Sequence, residues 1–219
     1  IMKSELLKRI ISSLFLISLI FLSALINDYI FLSILFIVII FSWIEWIRII
    51  EKINFKKIYR IINIVFFLIY LFMAFIICFN VFLIDKYFFL TILMICIFSD
   101  VGGYVFGKTF GGKKLTKISP KKTVSGSIGS FIFSYIGFFV IYIYFNNLLF
   151  VRLEIEALFF IPFFVSSICQ LGDLFISFYK RKAKIKNTGN IIPGHGGLLD
   201  RIDGTIFALP IGFIIISLL

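Results

Sequence analysis

Four aspartates sit where an overwhelmingly apolar chain meets runs of glycine and cations. Asp100 lies in Ser99-Asp100-Val101-Gly102-Gly103-Tyr104, Asp173 ends Gln170-Leu171-Gly172-Asp173, and Asp200 and Asp203 bracket Arg201-Ile202. Carboxylate oxygens are the ligands a hard divalent cation prefers. Lysine offers phosphate a point charge, and arginine a planar fork. Asp173, Asp200 and Asp203 therefore have the chemistry to converge on one divalent cation, with neighbouring basic residues holding phosphates that share it. If a helix starts there, Asp200 and Asp203, three apart, face the same way. The same spacing equally suits acids in a first helical turn, where the dipole favours them. His195, the only histidine, lies in Pro193-Gly194-His195-Gly196-Gly197. Its place beside the acids suits contact with a substrate, and a loop histidine suits contact with backbone just as well. Neither role makes it a general base.

The cations cluster in two segments. The first reads as a loop from Ser99-Asp100-Val101-Gly102-Gly103-Tyr104 through Gly107-Lys108 and Gly111-Gly112-Lys113-Lys114 to Ser119-Pro120-Lys121-Lys122-Thr123; the second carries Ser177-Phe178-Tyr179-Lys180-Arg181. Glycines let backbone N–H groups approach an anion closely, so the first segment reads as a phosphate-contacting loop rather than a merely basic one. Residues 102–109 also match the pattern of a glycine, four residues, then Gly-Lys-Thr. That motif needs a strand before it and a helix after it. Here an apolar helix precedes it, so it is dismissed as a P-loop.

The elements that carry these residues follow from composition. Of 219 residues, 61% are hydrophobic and 15% charged, against about 45–50% and about 25% in soluble domains. One core of this length cannot hide so much apolar surface from water, which excludes a soluble enzyme, a disordered chain and a disulfide scaffold. Cys78, Cys96 and Cys169 lie in apolar runs without metal-ligand spacing and read as apolar filler. No small-residue cleavage site follows the first apolar run, so no signal peptide is expected.

A spanning helix needs about 20 apolar residues. Seven runs qualify, over 10–26, 29–44, 61–83, 87–106, 127–145, 157–175 and 205–219. They are continuously apolar rather than alternating, which excludes barrel strands. The expected fold is an all-α, polytopic membrane helix bundle of about seven helices. The fourth span is interrupted by Ser99, Asp100, Gly102 and Gly103, and the last is short and contains Pro210. Two regions are expected: residues 1–98, apolar hairpins with nothing chemical in them, and residues 99–219, a catalytic region with two long cytoplasmic loops.

Charge orients the bundle. With the N-terminus inside, all but two of the 22 Lys and Arg fall on the cytoplasmic side, the exceptions being Lys86 and Arg152. That asymmetry is the positive-inside rule. It accounts for the formal charge of +11 without nucleic acid. A multi-pass protein of the cell's inner (plasma) membrane follows, its site facing the cytoplasm. Trp43 and Trp46 are expected at the membrane interface. Asp28, Asp85, Glu154 and Glu156 fall in outer turns, and Glu5, Glu45 and Glu51 in solvated pairs among cytoplasmic bases.

At these residues the sequence resembles the phosphatidate cytidylyltransferase family, the CDP-diacylglycerol synthases. The resemblance runs over residues 99–204, through Asp100 to Tyr104, Ser119 to Thr123, Ser177, Lys180-Arg181, Lys186, the Pro-Gly-His-Gly-Gly run and Asp200-Arg201-Ile202-Asp203. Asn187 stands where the family signature has Asp, and Val124-Ser125 where members usually carry an aromatic and an acidic residue. The resemblance implies that CTP and phosphatidate of the inner leaflet give CDP-diacylglycerol and pyrophosphate. It implies Mg²⁺ on Asp173 and Asp200, with Asp203 as third ligand or bridge to a second cation. It implies Lys121, Lys122, Lys180 and Arg181 on phosphates, with Asp100, His195 and Arg201 on the substrate side. A homodimer is consistent with the resemblance alone. Two rivals remain: a CTP-dependent polyprenol kinase, and a small cation transporter or channel, which intramembrane acids suit but glycine-rich basic loops do not.

Overall fold

The computed structural model describes residues 16, 18–145, 155–189 and 196–216. Among these the regular structure is helical, and the chain is an all-α polytopic membrane protein. Five helices are long and apolar enough to cross a membrane: α1 (Asp28–Glu51), α2 (Lys57–Ile84), α3 (Lys86–Thr109), α4 (Val124–Phe145) and α5 (Ile155–Lys182). A single turn, α6 (Leu199–Ile202), precedes the shorter apolar α7 (Thr205–Ile216). Residues 16 and 18–26 are also helical; the rest of the first expected span lies outside the described residues. Large side chains such as Phe66, Phe72 and Ile143 are exposed, as lipid permits and water would not.

Short polar residues start these helices. Asn27 caps α1, its side-chain oxygen accepting from the amides of Tyr29 (2.8 Å) and Ile30 (3.3 Å). Asp85 caps α3 through the Phe88 amide at 2.9 Å. Thr123 caps α4 through the Gly126 amide at 3.1 Å. Each such cap is worth about 1 kcal/mol. At the end of α5 the Lys184 amide donates to the Arg181 carbonyl and the Ile185 amide to the Lys180 carbonyl, with Lys184 at φ +56°. That is a Schellman ending, in which glycine is usual.

The chain divides into two compact units, each discontinuous in sequence: Ile1–Phe75 with Tyr179–Ile202, and Ile76–Phe178 with Asp203–Leu219. Trp46 is central to the first. It stacks on Phe67 at 4.2 Å, meets Tyr179 at 4.7 Å and donates to the Asn63 carbonyl at 3.3 Å. Tyr179 in turn donates to the Asn63 side chain at 3.0 Å. Trp46 is therefore a core residue and not an interfacial one, because its indole N–H finds a protein partner.

In the second unit α3 packs along α4. A Cβ on Gly129 would lie 2.7 Å from the Gly102 carbonyl oxygen, and one on Gly126 would lie 2.8 Å from that of Gly103. Small residues let membrane helices come this close. The fourth expected span is a helix throughout: α3 runs unbroken through the polar and glycine positions Ser99, Asp100, Gly102 and Gly103. Ser99 shares a hydrogen bond with Ser166 at 2.8 Å, which satisfies a buried hydroxyl.

Candidate functional site

The Ser-Pro-Lys-Lys-Thr run is a turn that aims a lysine. The Lys122 amide donates to the Ser119 carbonyl at 3.0 Å, and Pro120 occupies the second turn position, which its fixed φ suits. The Leu115 amide donates to the Lys122 carbonyl at 2.8 Å, and the Val124 amide to that of Lys113 at 2.9 Å. With Thr123 capping α4, Lys122 is held at the exit of the turn. Its ammonium forms an ion pair with Asp173 of α5, both side chains 26% exposed. Asp173 also accepts from the Ser177 hydroxyl at 3.2 Å. Lys121 is exposed. Lys114, Leu115, Thr116, Lys117 and Pro120 line an open groove on the same loop.

The glycines of this region divide. Gly111 and Gly112 lie in the loop at φ +58° and +98°, where other residues are strained. Gly102, Gly103 and Gly107 do not line a loop: they are helical, and a Cβ on any of them would press against α4 or its Thr123 cap. Their reading as phosphate-contacting glycines is corrected to close helix packing. The same helicity removes the P-loop look-alike, since its backbone amides are committed within α3.

Asp100 and Asp203 both come to one stretch of α5. The Cys169 thiol lies 3.8 Å from an Asp100 carboxylate oxygen. The Asp203 carboxylate accepts from the Gly204 amide at 3.0 Å. Gly172 leaves room there, a Cβ on it falling 3.0 Å from the Asp203 carbonyl oxygen. Cys78, Cys96 and Cys169 are all free and buried.

In the other unit Lys180 and Asp200 form a nearly enclosed pair at 2.8 Å, each side chain 9% exposed. The second Asp200 oxygen accepts from the amides of Thr188 (2.7 Å) and Gly197 (3.0 Å) and lies 3.1 Å from the Thr188 hydroxyl. Gly196 has φ +108°, and a Cβ there would come within 2.9 Å of Asp200. Asp200 and Asp203 do not share a helical face, because α6 ends at Ile202 and α7 begins at Thr205. Arg181 is exposed and donates to the Ile185 carbonyl at 3.4 Å; Arg201 is also exposed. His195 lies outside the described residues.

Glu45 was not expected in any site. It is fully buried, not solvated among bases, and it accepts from the amides of Leu198 and Leu199, both at 2.9 Å. Its one sequence signal was an acid immediately after an apolar run.

The donor chemistry fits Mg²⁺ best at Asp173, a partly exposed hard carboxylate whose charge is met by a flexible ammonium. Asp200 is enclosed, with both oxygens occupied. Among the described residues, no three His, Cys, Asp or Glu side chains gather closely enough to hold a metal ion.

A family model described as the cytidylyltransferase family matches residues 56–219. Curated proteins named phosphatidate cytidylyltransferase are similar. That of Rickettsia bellii is 45% identical over 126 residues, 53% of this chain and 52% of the relative. That of Staphylococcus saprophyticus is 43% identical over 116 residues, 52% and 42%. That of Bacillus subtilis is 36% identical over 149 residues, 64% and 54%. The chain spans about half the length of the curated relatives it matches.

Proposed function

Since the chain belongs to the cytidylyltransferase family, we propose that it transfers the cytidylyl group of CTP to phosphatidate, forming CDP-diacylglycerol and pyrophosphate. The name those relatives carry supports the substrate pair. The observation that carries it is the Lys122–Asp173 pair: the turn of the first basic loop brings a cation suited to phosphate onto an acid suited to a hard metal ion.

The chemistry is a displacement at the α-phosphorus. A lipid phosphate oxygen forms the new P–O bond, and the bond to the β-phosphate breaks, releasing pyrophosphate. The attacking phosphate is already ionised near neutral pH, so no strong general base is required. The difficulty is bringing two anions together, and fixed cations lower that barrier. Lys121, Lys122, Lys180 and Arg181 would bind the phosphates, with Asp100, His195 and Arg201 on the substrate side. Mg²⁺ would be held by Asp173, and when bound it would neutralise phosphate charge. The site would face the cytoplasm from the plasma membrane, with CTP arriving from water and the lipid from the inner leaflet. Assembly as a homodimer belongs to the same reading, and cross-linking in vesicles tests it.

The deciding experiment incubates the purified protein with CTP, Mg²⁺ and phosphatidate. Equal amounts of pyrophosphate and CDP-lipid are expected. Release of CDP with a polyprenol acceptor, or cation flux in liposomes without CTP, would replace this function with one of its rivals.

A further inference from the structure

We propose that Glu45, on a helix outside the matched family region, is a positioning residue for the loop that leads into the α6 turn bearing Asp200. The claim rests on the nucleotidyl-transfer reading above for its effect on turnover, and on geometry alone for its effect on the loop.

A buried carboxylate is costly unless its oxygens are satisfied. Glu45 is fully buried in α1. One oxygen accepts from the Leu198 amide at 2.9 Å; the other accepts from the Leu199 amide at 2.9 Å and the Thr188 hydroxyl at 2.5 Å. These donors come from the two ends of one loop, so a single side chain ties its entry to its exit. Asp200 grips the same two ends from its own oxygen, through the amides of Thr188 and Gly197. The Thr188 hydroxyl lies between the two carboxylates, 2.5 Å from Glu45 and 3.1 Å from Asp200. It has one proton to donate, so the orientation of either acid bears on the other. Two glycines make room: a Cβ on Gly189 would lie 2.8 Å from Glu45, and one on Gly197 would collide with both Glu45 and Thr188. Those glycines admit a protein carboxylate. Loss of Glu45 would free the loop ends and leave Asp200, and through it Lys180, without a fixed frame.

Glu45→Gln keeps the volume but places a donor where three donors already point. Two readouts on the purified full chain test the proposal. In hydrogen exchange, the Leu198 and Leu199 amides are expected to lose roughly tenfold or more of their protection. In the CTP and phosphatidate assay, kcat per folded molecule is expected to fall roughly tenfold or more, measured below the variant's own melting temperature. Thr188→Val should reproduce both effects without adding to them in the double variant, and Thr188→Ser should restore most of the loss. Thr188→Val also serves if Glu45→Gln fails to fold. Unchanged exchange at both amides overturns the proposal, and so does unchanged kcat with only a lower melting temperature, which marks a purely structural role. A wild-type protein without CTP-dependent pyrophosphate release overturns the reaction instead, and exchange alone then decides whether Glu45 positions the loop.

Discussion

Two carboxylates of similar chemistry sit in different surroundings, and their substitutions should separate. The Lys122–Asp173 pair is one-quarter exposed, so its net worth is at most about 1 kcal/mol. Asp173→Asn should leave thermal unfolding nearly unchanged. It should cut turnover by several orders of magnitude if Asp173 holds the metal, because metal charge stabilisation is worth several kcal/mol. Asp200→Asn strands an enclosed ammonium on Lys180 and disturbs the Thr188 and Gly197 amides. Breaking a buried pair costs about 3–5 kcal/mol, so this variant should melt markedly lower in detergent. Equal melting temperatures for the two variants would contradict the burial difference, and more than about a tenth of wild-type activity in Asp173→Asn would move the metal elsewhere.

At the scale of the helix, the α3–α4 contact and the end of α5 make opposite predictions. Gly129 faces the Gly102 carbonyl at a distance no Cβ tolerates, and inserting one methyl into such packing costs about 1–3 kcal/mol. Gly129→Ala should therefore lower thermal stability, and the compensating loss should be seen as reduced yield of folded protein. Lys184 holds φ +56°, a conformation costing an L-residue about 1–2 kcal/mol. Lys184→Gly should raise the melting temperature while leaving the Asp200 contacts intact. A destabilised Lys184→Gly would mean that the lysine side chain contributes more than its backbone strain costs.

For the molecule as a whole, the charge asymmetry predicts topology. Cysteines placed at Lys117 and Lys182 should label from the cytoplasm only, and one at Asn147 from outside only. The native thiols are buried, so background labelling should be low. Labelling of either basic position from outside would reverse the assigned orientation.

Membrane class and helical identity are legible in the chain because hydrophobicity over about 20 residues is a local property, and the lipid enforces one backbone solution for it. The basic loops and the four aspartates stand out for the same reason: charge in an apolar chain is visible without knowing the fold. Partners are not local. Glu45 and Thr188 are 143 residues apart, so nothing near Glu45 told a buried loop clasp from a solvated surface acid. Trp46 looked interfacial until Asn63 and Tyr179 came to it from two other helices. Gly102 and Gly103 looked like loop residues because a glycine's role depends on what approaches it, here the backbone of α4. Pairing each acid with its cation, Asp173 with Lys122 and Asp200 with Lys180, required the folded chain, since Coulomb attraction acts on distance in space and any of the neighbouring lysines had the same charge to offer.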